Sequence, residues 1–145
     1  MIANTCARAT AQIRGEADAP GIRGEARFLQ REDGVLVTVE VSGLPRDAAF
    51  FALHIHEGRS CQGRGFPNTG GHYDRRSSPH PRHQGDLPPL LNAGGRAYLS
   101  VVTDRFTVPE IIGRTLVIHS GTDDFRSQPA GNAGTKLACG VIRCG

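Results

Sequence analysis

The chain has 145 residues, 38% hydrophobic and 21% charged, with a net charge of +3 at neutral pH. This is one domain's worth of globular sequence, enough to bury roughly two-thirds of its unfolded surface, and it excludes a disordered chain. The longest apolar run, residues 48–53, falls far short of the roughly 18 needed to cross a membrane, and the charge lacks the stacking aromatics or basic helix of a nucleic-acid binder.

With 19 glycines and 9 prolines, the chain favours turns and short strands. The first ten residues hold no apolar segment of a secretory signal, which places the protein in the cytoplasm unless a leader precedes the mature chain. The first expected strand covers 7–14 and the second 23–30. Arg31-Glu32-Asp33-Gly34 reads as a hairpin turn. Beyond it, Val35, Val37, Val39 and Val41 alternate with Leu36, Thr38, Glu40 and Ser42, the period-2 pattern of a half-buried strand. Further strands are expected over 49–56, 97–103, 115–119 and 137–143, with a weaker one over 87–91 that Pro88 and Pro89 interrupt. No helical stripe, repeat or linker appears, so residues 1–145 read as a single all-β domain. Two segments, 57–89 and 120–135, are long, polar and turn-rich, and loops of that length are usually functional.

The histidines gather around those loops. His54 and His56, two apart on a strand, share a face. Such a pair alone suits a surface or structural role as well as a metal. His72, His80, His83 and Asp86 then supply three imidazoles and a carboxylate within 15 positions, the N3O set of a zinc-type site. His119 ends the strand over 115–119 and opens the second loop.

In this order the residues make the sequence resemble the copper/zinc superoxide dismutase family. The resemblance rests on His54-Ile55-His56-Glu57-Gly58, Gly71-His72-Tyr73, His83-Gln84-Gly85-Asp86-Leu87-Pro88, Val117-Ile118-His119-Ser120 and the run from Gly131 to Ile142. It implies an eight-stranded antiparallel Greek-key sandwich or flattened barrel with two long functional loops. It further implies that His54, His56, His72 and His119 ligate copper, and that His72 bridges to a zinc completed by His80, His83 and Asp86. The expected chemistry is disproportionation of superoxide to dioxygen and hydrogen peroxide by alternate reduction and reoxidation of copper, with His72 and Lys136 as catalytic residues. Asp123 matches the carboxylate that accepts hydrogen bonds from His54 and His80. Cys61 and Cys139 match the family's disulfide. Cys6 and Cys144 flank the first and last strands, neighbours in such a fold, and are either a second bridge or two free thiols. A homodimer is one of the assemblies the family uses.

Three departures accompany the resemblance. Lys136, the only lysine beside 16 arginines, stands where the family usually has an arginine, replacing a planar fork with a flexible point charge. His80 and His83 are separated by only two residues, fewer than the family commonly places there. The second loop is short and lacks the charged stretch of eukaryotic members, leaving Arg126 as a candidate guiding charge. The competing reading is a non-catalytic relative, a metal buffer or chaperone-like domain. Such domains tend to lack copper ligands, whereas all four positions are filled here.

Overall fold

Val35, Val37, Val39 and Val41 fall on one side of an extended chain, and all four are at most 5% exposed. Their strand, β3 (Gly34–Ser42), pairs antiparallel with β2 (Arg23–Arg31) through a turn at Glu32 and Asp33. Asp33 accepts hydrogen bonds from Arg31 Nε and Nη2, each at 3.0 Å, and so fixes that turn. Burying one such side chain is worth roughly 1.5–3 kcal/mol. A one-residue slip would turn the whole set outward, so the register is firmly specified.

The computed structural model describes residues 6–145; residues 1–5, included in the single-domain expectation, lie outside the described residues. Strand β1 (Arg8–Gly15) buries Ala9, Ala11 and Ile13 by the same alternation. The remaining strands are β4 (Phe50–Phe51), β5 (Leu53–His56), β6 (Leu90–Leu91), β7 (Ala97–Thr103), β8 (Thr115–His119) and β9 (Lys136–Cys144). Seven of them form one antiparallel sheet in the order β5-β8-β9-β1-β2-β3-β7, and β4 pairs with β6. The pairings β3–β7 and β9–β1 join strands distant in sequence, as a Greek key requires.

The strand expected over 49–56 divides at Ala52, which makes nine strands among the described residues rather than eight. Phe50 and Phe51 pair with Leu91 and Leu90, whereas Leu53 to His56 pair with β8. Ala52 sits at the switch, its N–H donating to the Gly121 carbonyl and its carbonyl accepting from the His119 N–H. Since β6 packs on β7 and β4 runs on into β5 beyond Ala52, the small ribbon lies between the two edge strands of the curled, half-barrel sheet.

Strands β5 and β8 are buried along their whole length. The expected loop over 57–89 folds across them, tied down by bridges of His56 to His72 and His54 to Asp86. Gly85 permits that approach: its N–H donates to the Tyr73 carbonyl, its carbonyl accepts from Ile55 N–H, and any Cβ would collide with the Ile55 backbone. The Cys61–Cys139 disulfide anchors the loop to β9. Cys6 and Cys144 also form a disulfide, so the question the sequence leaves open resolves as a bridge.

Among the described residues one short helix, α1 (Val108–Ile111), follows β7. Its Glu110 carboxylate accepts hydrogen bonds from the Thr107 N–H (2.8 Å) and hydroxyl (3.0 Å), the Tyr73 hydroxyl (2.7 Å) and Gln84 Nε2 (3.0 Å). Partial burial pushes its pKa up, but these donors outweigh that and hold it below the usual glutamate value. A depressed carboxylate stabilises the fold fully above its unfolded pKa, and the contribution is lost as pH falls through the lower folded value. Thermal unfolding of the metal-free protein between pH 2.5 and 7 is therefore expected to show a shallower acid limb in Glu110→Gln than in the parent. Identical slopes would mean that Glu110 carries none of this linkage.

Candidate metal centre

Strand alternation sends Leu53 and Ile55 into the core and His54 and His56 to the opposite face, beneath the loops. His119 joins them from the neighbouring strand β8. The three imidazoles are at most 3% exposed. His72 enters from the first loop, its ring centroid 3.9 Å from that of His54. One potential ligand atom from each of His54, His56, His72 and His119 lies within 4.8 Å of the others.

Hydrogen bonds decide which nitrogen of each ring is free. His54 Nε2 is 2.7 Å from Asp123 Oδ2, so it donates there and leaves Nδ1 buried without a protein partner. His56 Nδ1 donates to the Gly70 carbonyl at 2.8 Å, freeing Nε2. That Nε2 lies 3.1 Å from His119 Nε2, the approach of two atoms aimed at a common centre. Burial, reinforced by His72 and His119, lowers the His54 pKa to about 2. Burial likewise takes His56 to about 2, although the Gly70 bond opposes it, and brings His119 to about 4. At neutral pH these rings are uncharged, with lone pairs free for a cation.

A second group adjoins the first. His72 Nδ1 is 2.8 Å from Asp86 Oδ1 and 3.2 Å from His83 Nδ1. His80 Nδ1 and His83 Nδ1 lie 3.0 Å and 3.2 Å from Asp86 Oδ2. Burial opposes ionisation of Asp86, but the His72 hydrogen bond and the surrounding imidazoles prevail and hold its pKa low. His80 Nδ1 finds no hydrogen-bond partner despite its closeness to the carboxylate, as suits ligands around one ion rather than a donor and its acceptor. His54 also comes within reach of His72, His80 and Asp86, but its Nε2 is committed to Asp123. His83 is the ring whose Nδ1 meets both His72 and Asp86.

His72 therefore faces both groups, with Nδ1 toward the second and a buried, unpartnered Nε2. Asp123 also joins them, since its other oxygen takes His80 Nε2 at 2.7 Å. Gly131, at φ 72°, covers this carboxylate, and a Cβ there would strike Asp123 Oδ1 and His80 Nε2. The donor sets fit two ions: four imidazole nitrogens on one side, three imidazoles and a carboxylate on the other.

Lys136 opens β9 opposite His119. Its ammonium donates to Thr69 Oγ1 at 2.6 Å, and burial lowers its pKa. The positive charge in turn depresses His56 and His119, which places it beside the four-imidazole group. Thr69, fully buried, is absent from the sequence-based site, because one threonine in a polar loop carries no pattern. The Arg126 side chain is exposed, and its backbone N–H donates to Asp124.

The family model "Copper/zinc superoxide dismutase" matches residues 22–142. Superoxide dismutase 2 (Cu-Zn) of Aquifex aeolicus is 36% identical over 135 residues, covering 83% of this chain and 78% of that protein. The Cu-Zn superoxide dismutase of Deinococcus radiodurans is 38% identical over 143 residues, covering 84% and 78%. Among solved structures, the clock protein EA4 matches with a TM-score of 0.85 at 30% identity, covering 99% of this chain and 98% of that one.

Proposed function

The chain belongs to the copper/zinc superoxide dismutase family, and on that premise we propose that His54, His56, His72 and His119 hold copper while His72, His80, His83 and Asp86 hold zinc. The protein is a superoxide dismutase, in which copper supplies one-electron transfer in both directions and zinc a redox-inert structural charge. The carrying observation is the pair of buried, unpartnered nitrogens His54 Nδ1 and His72 Nε2. Buried polar atoms normally have partners, so two orphans on adjacent rings favour a bound cation.

The protein's own groups do three things. Asp123 fixes the His54 and His80 rings, and Gly70 the His56 ring, by hydrogen bonds to the nitrogens that face away from the ions. His72 Nε2 is the atom at which the chain holds and delivers one of the two protons that peroxide requires. Lys136 attracts and positions the small anion. Nearby Arg64 is paired with Asp18 at 2.7 Å, whereas the Lys136 ammonium rests on the neutral Thr69, so its charge stays available.

Superoxide removal by the loaded protein is expected to disappear on copper stripping and to return with copper but not with zinc alone. A fully loaded protein without activity would instead support a metal buffer. Lys136→Ala is expected to lower the rate several-fold and flatten its dependence on salt, while Lys136→Arg preserves or raises it. An unchanged rate in the alanine variant would remove Lys136 from the mechanism.

We extend the reading to assembly and location. A homodimer is supported by the exposed Phe50, Leu91, Tyr98 and Val102, and sedimentation tests it. A cytoplasmic location competes with an oxidising compartment, which the two disulfides suit; cell fractionation distinguishes them.

A further inference from the structure

The four-residue stretch from His80 to His83 carries two of the second group's imidazoles with only Pro81 and Arg82 between them. A turn this short must hold its backbone in one shape if both rings are to meet one ion. Within the loop the Arg82 N–H donates to the Pro79 carbonyl and the His83 N–H to Asp86 Oδ2; further polar backbone groups of the turn are met by side chains from two other parts of the fold. Gln128, from the second loop, grips both sides of His80: its Oε1 accepts the His80 N–H at 2.8 Å, and its Nε2 donates to the His80 carbonyl at 2.7 Å. Arg105, just beyond β7, donates Nη1 to the Pro81 carbonyl at 2.7 Å and the His83 carbonyl at 3.3 Å. Arg105 is itself held, its carbonyl accepting from the buried Gln84 Nε2 at 2.9 Å and its N–H donating to Thr103 Oγ1 at 3.2 Å. Gln84 in turn reaches Glu110, which ties the assembly to α1.

We infer that Arg105 and Gln128 are positioning residues for zinc, clamping the shortened turn so that His80 and His83 are aligned before the ion arrives. The inference rests on the proposed zinc ligands. It goes beyond them because neither residue touches a ligand ring: both act on the backbone that carries the rings. Such preorganisation removes ordering cost from binding, and outer partners of metal ligands typically carry roughly 10- to 100-fold in affinity. The effect should be confined to zinc, since neither clamp contacts the backbone of His54, His56 or His119.

The test measures zinc affinity by chelator competition, and copper affinity in the zinc-free protein, for the parent, Arg105→Leu, Gln128→Leu, Arg105→Lys and His83→Ala. Both leucine variants are expected to bind zinc roughly 10- to 100-fold more weakly, with copper changed by less than about threefold. Arg105→Lys should fall between, since a point donor recovers one carbonyl more readily than two. Visible bands of Co(II) in the zinc site should weaken or shift in the same order. Parent-like zinc affinity in both leucine variants would overturn the inference while leaving the ligand assignment intact. Equal losses of zinc and copper would overturn it in favour of general loosening. Equal zinc binding by the parent and His83→Ala would overturn the ligand assignment and the inference with it.

Discussion

His72→Ala is expected to lower superoxide removal by more than roughly a hundredfold, beyond the range for loss of a mere outer partner. Its Nδ1 meets Asp86 and His83 in one group, while its unpartnered Nε2 is a buried lone pair beside His54. No other ring offers a free nitrogen to each side, because His54 and His80 both spend one nitrogen on Asp123. Alanine thus removes one ligand from each group and the chain's own proton carrier. Steady-state rates measured beside metal content separate the two losses. A variant that retains both metals should still be slow, owing to the missing proton, and more sensitive to pH. A rate within twofold of the parent at full loading would contradict the role assigned to His72.

Replacing both Cys61 and Cys139 with serine is expected to cost about 4.5 kcal/mol, the loop-closure value for the 78-residue separation in the chain-entropy model. For a chain of this size that corresponds to a fall in Tm of roughly 10 °C or more. The change also reaches the site. Cys61 belongs to the loop that carries Thr69, the acceptor for Lys136, and Gly70, which orients His56. Activity should therefore fall below the unfolding transition, not only above it. A Tm within 2 °C of the parent would show that the hydrogen bonds of the loop suffice to hold it. The Cys6–Cys144 bridge joins ends that strands β1 and β9 already pair, so its removal should leave the site's activity intact.

Much of this architecture is legible before folding, because it rests on patterns the chain repeats. The valine alternation of β3 places that strand and its register, and the strands over 97–103 and 115–119 lie where their apolar runs predict. Five of the six histidines fall in the two clusters of potential ligand atoms, and His83 Nδ1 lies 3.2 Å from His72 Nδ1 at their edge, because each sits in or beside one of the two long loops. What escapes the sequence depends on contacts between distant segments. The break at Ala52 arises because Phe50 pairs with Leu91 whereas Leu53 pairs with Ile118, and nothing in the apolar run signals a change of partner. Helix α1 is too short for a periodic stripe. Thr69, Arg105 and Gln128 are single polar residues whose importance comes from what lies opposite them in space. The departure at His80 and His83 is visible in the sequence, but the side chains that brace the shortened turn are not.

In the proposed assignment one chain presents two adjoining sites of different character joined through His72. Metal content after loading the metal-free protein with saturating copper and zinc tests it most directly. One copper and one zinc per chain are expected, with zinc lost and copper kept in His83→Ala. One metal per chain at saturation, or the same content in His83→Ala as in the parent, would contradict it.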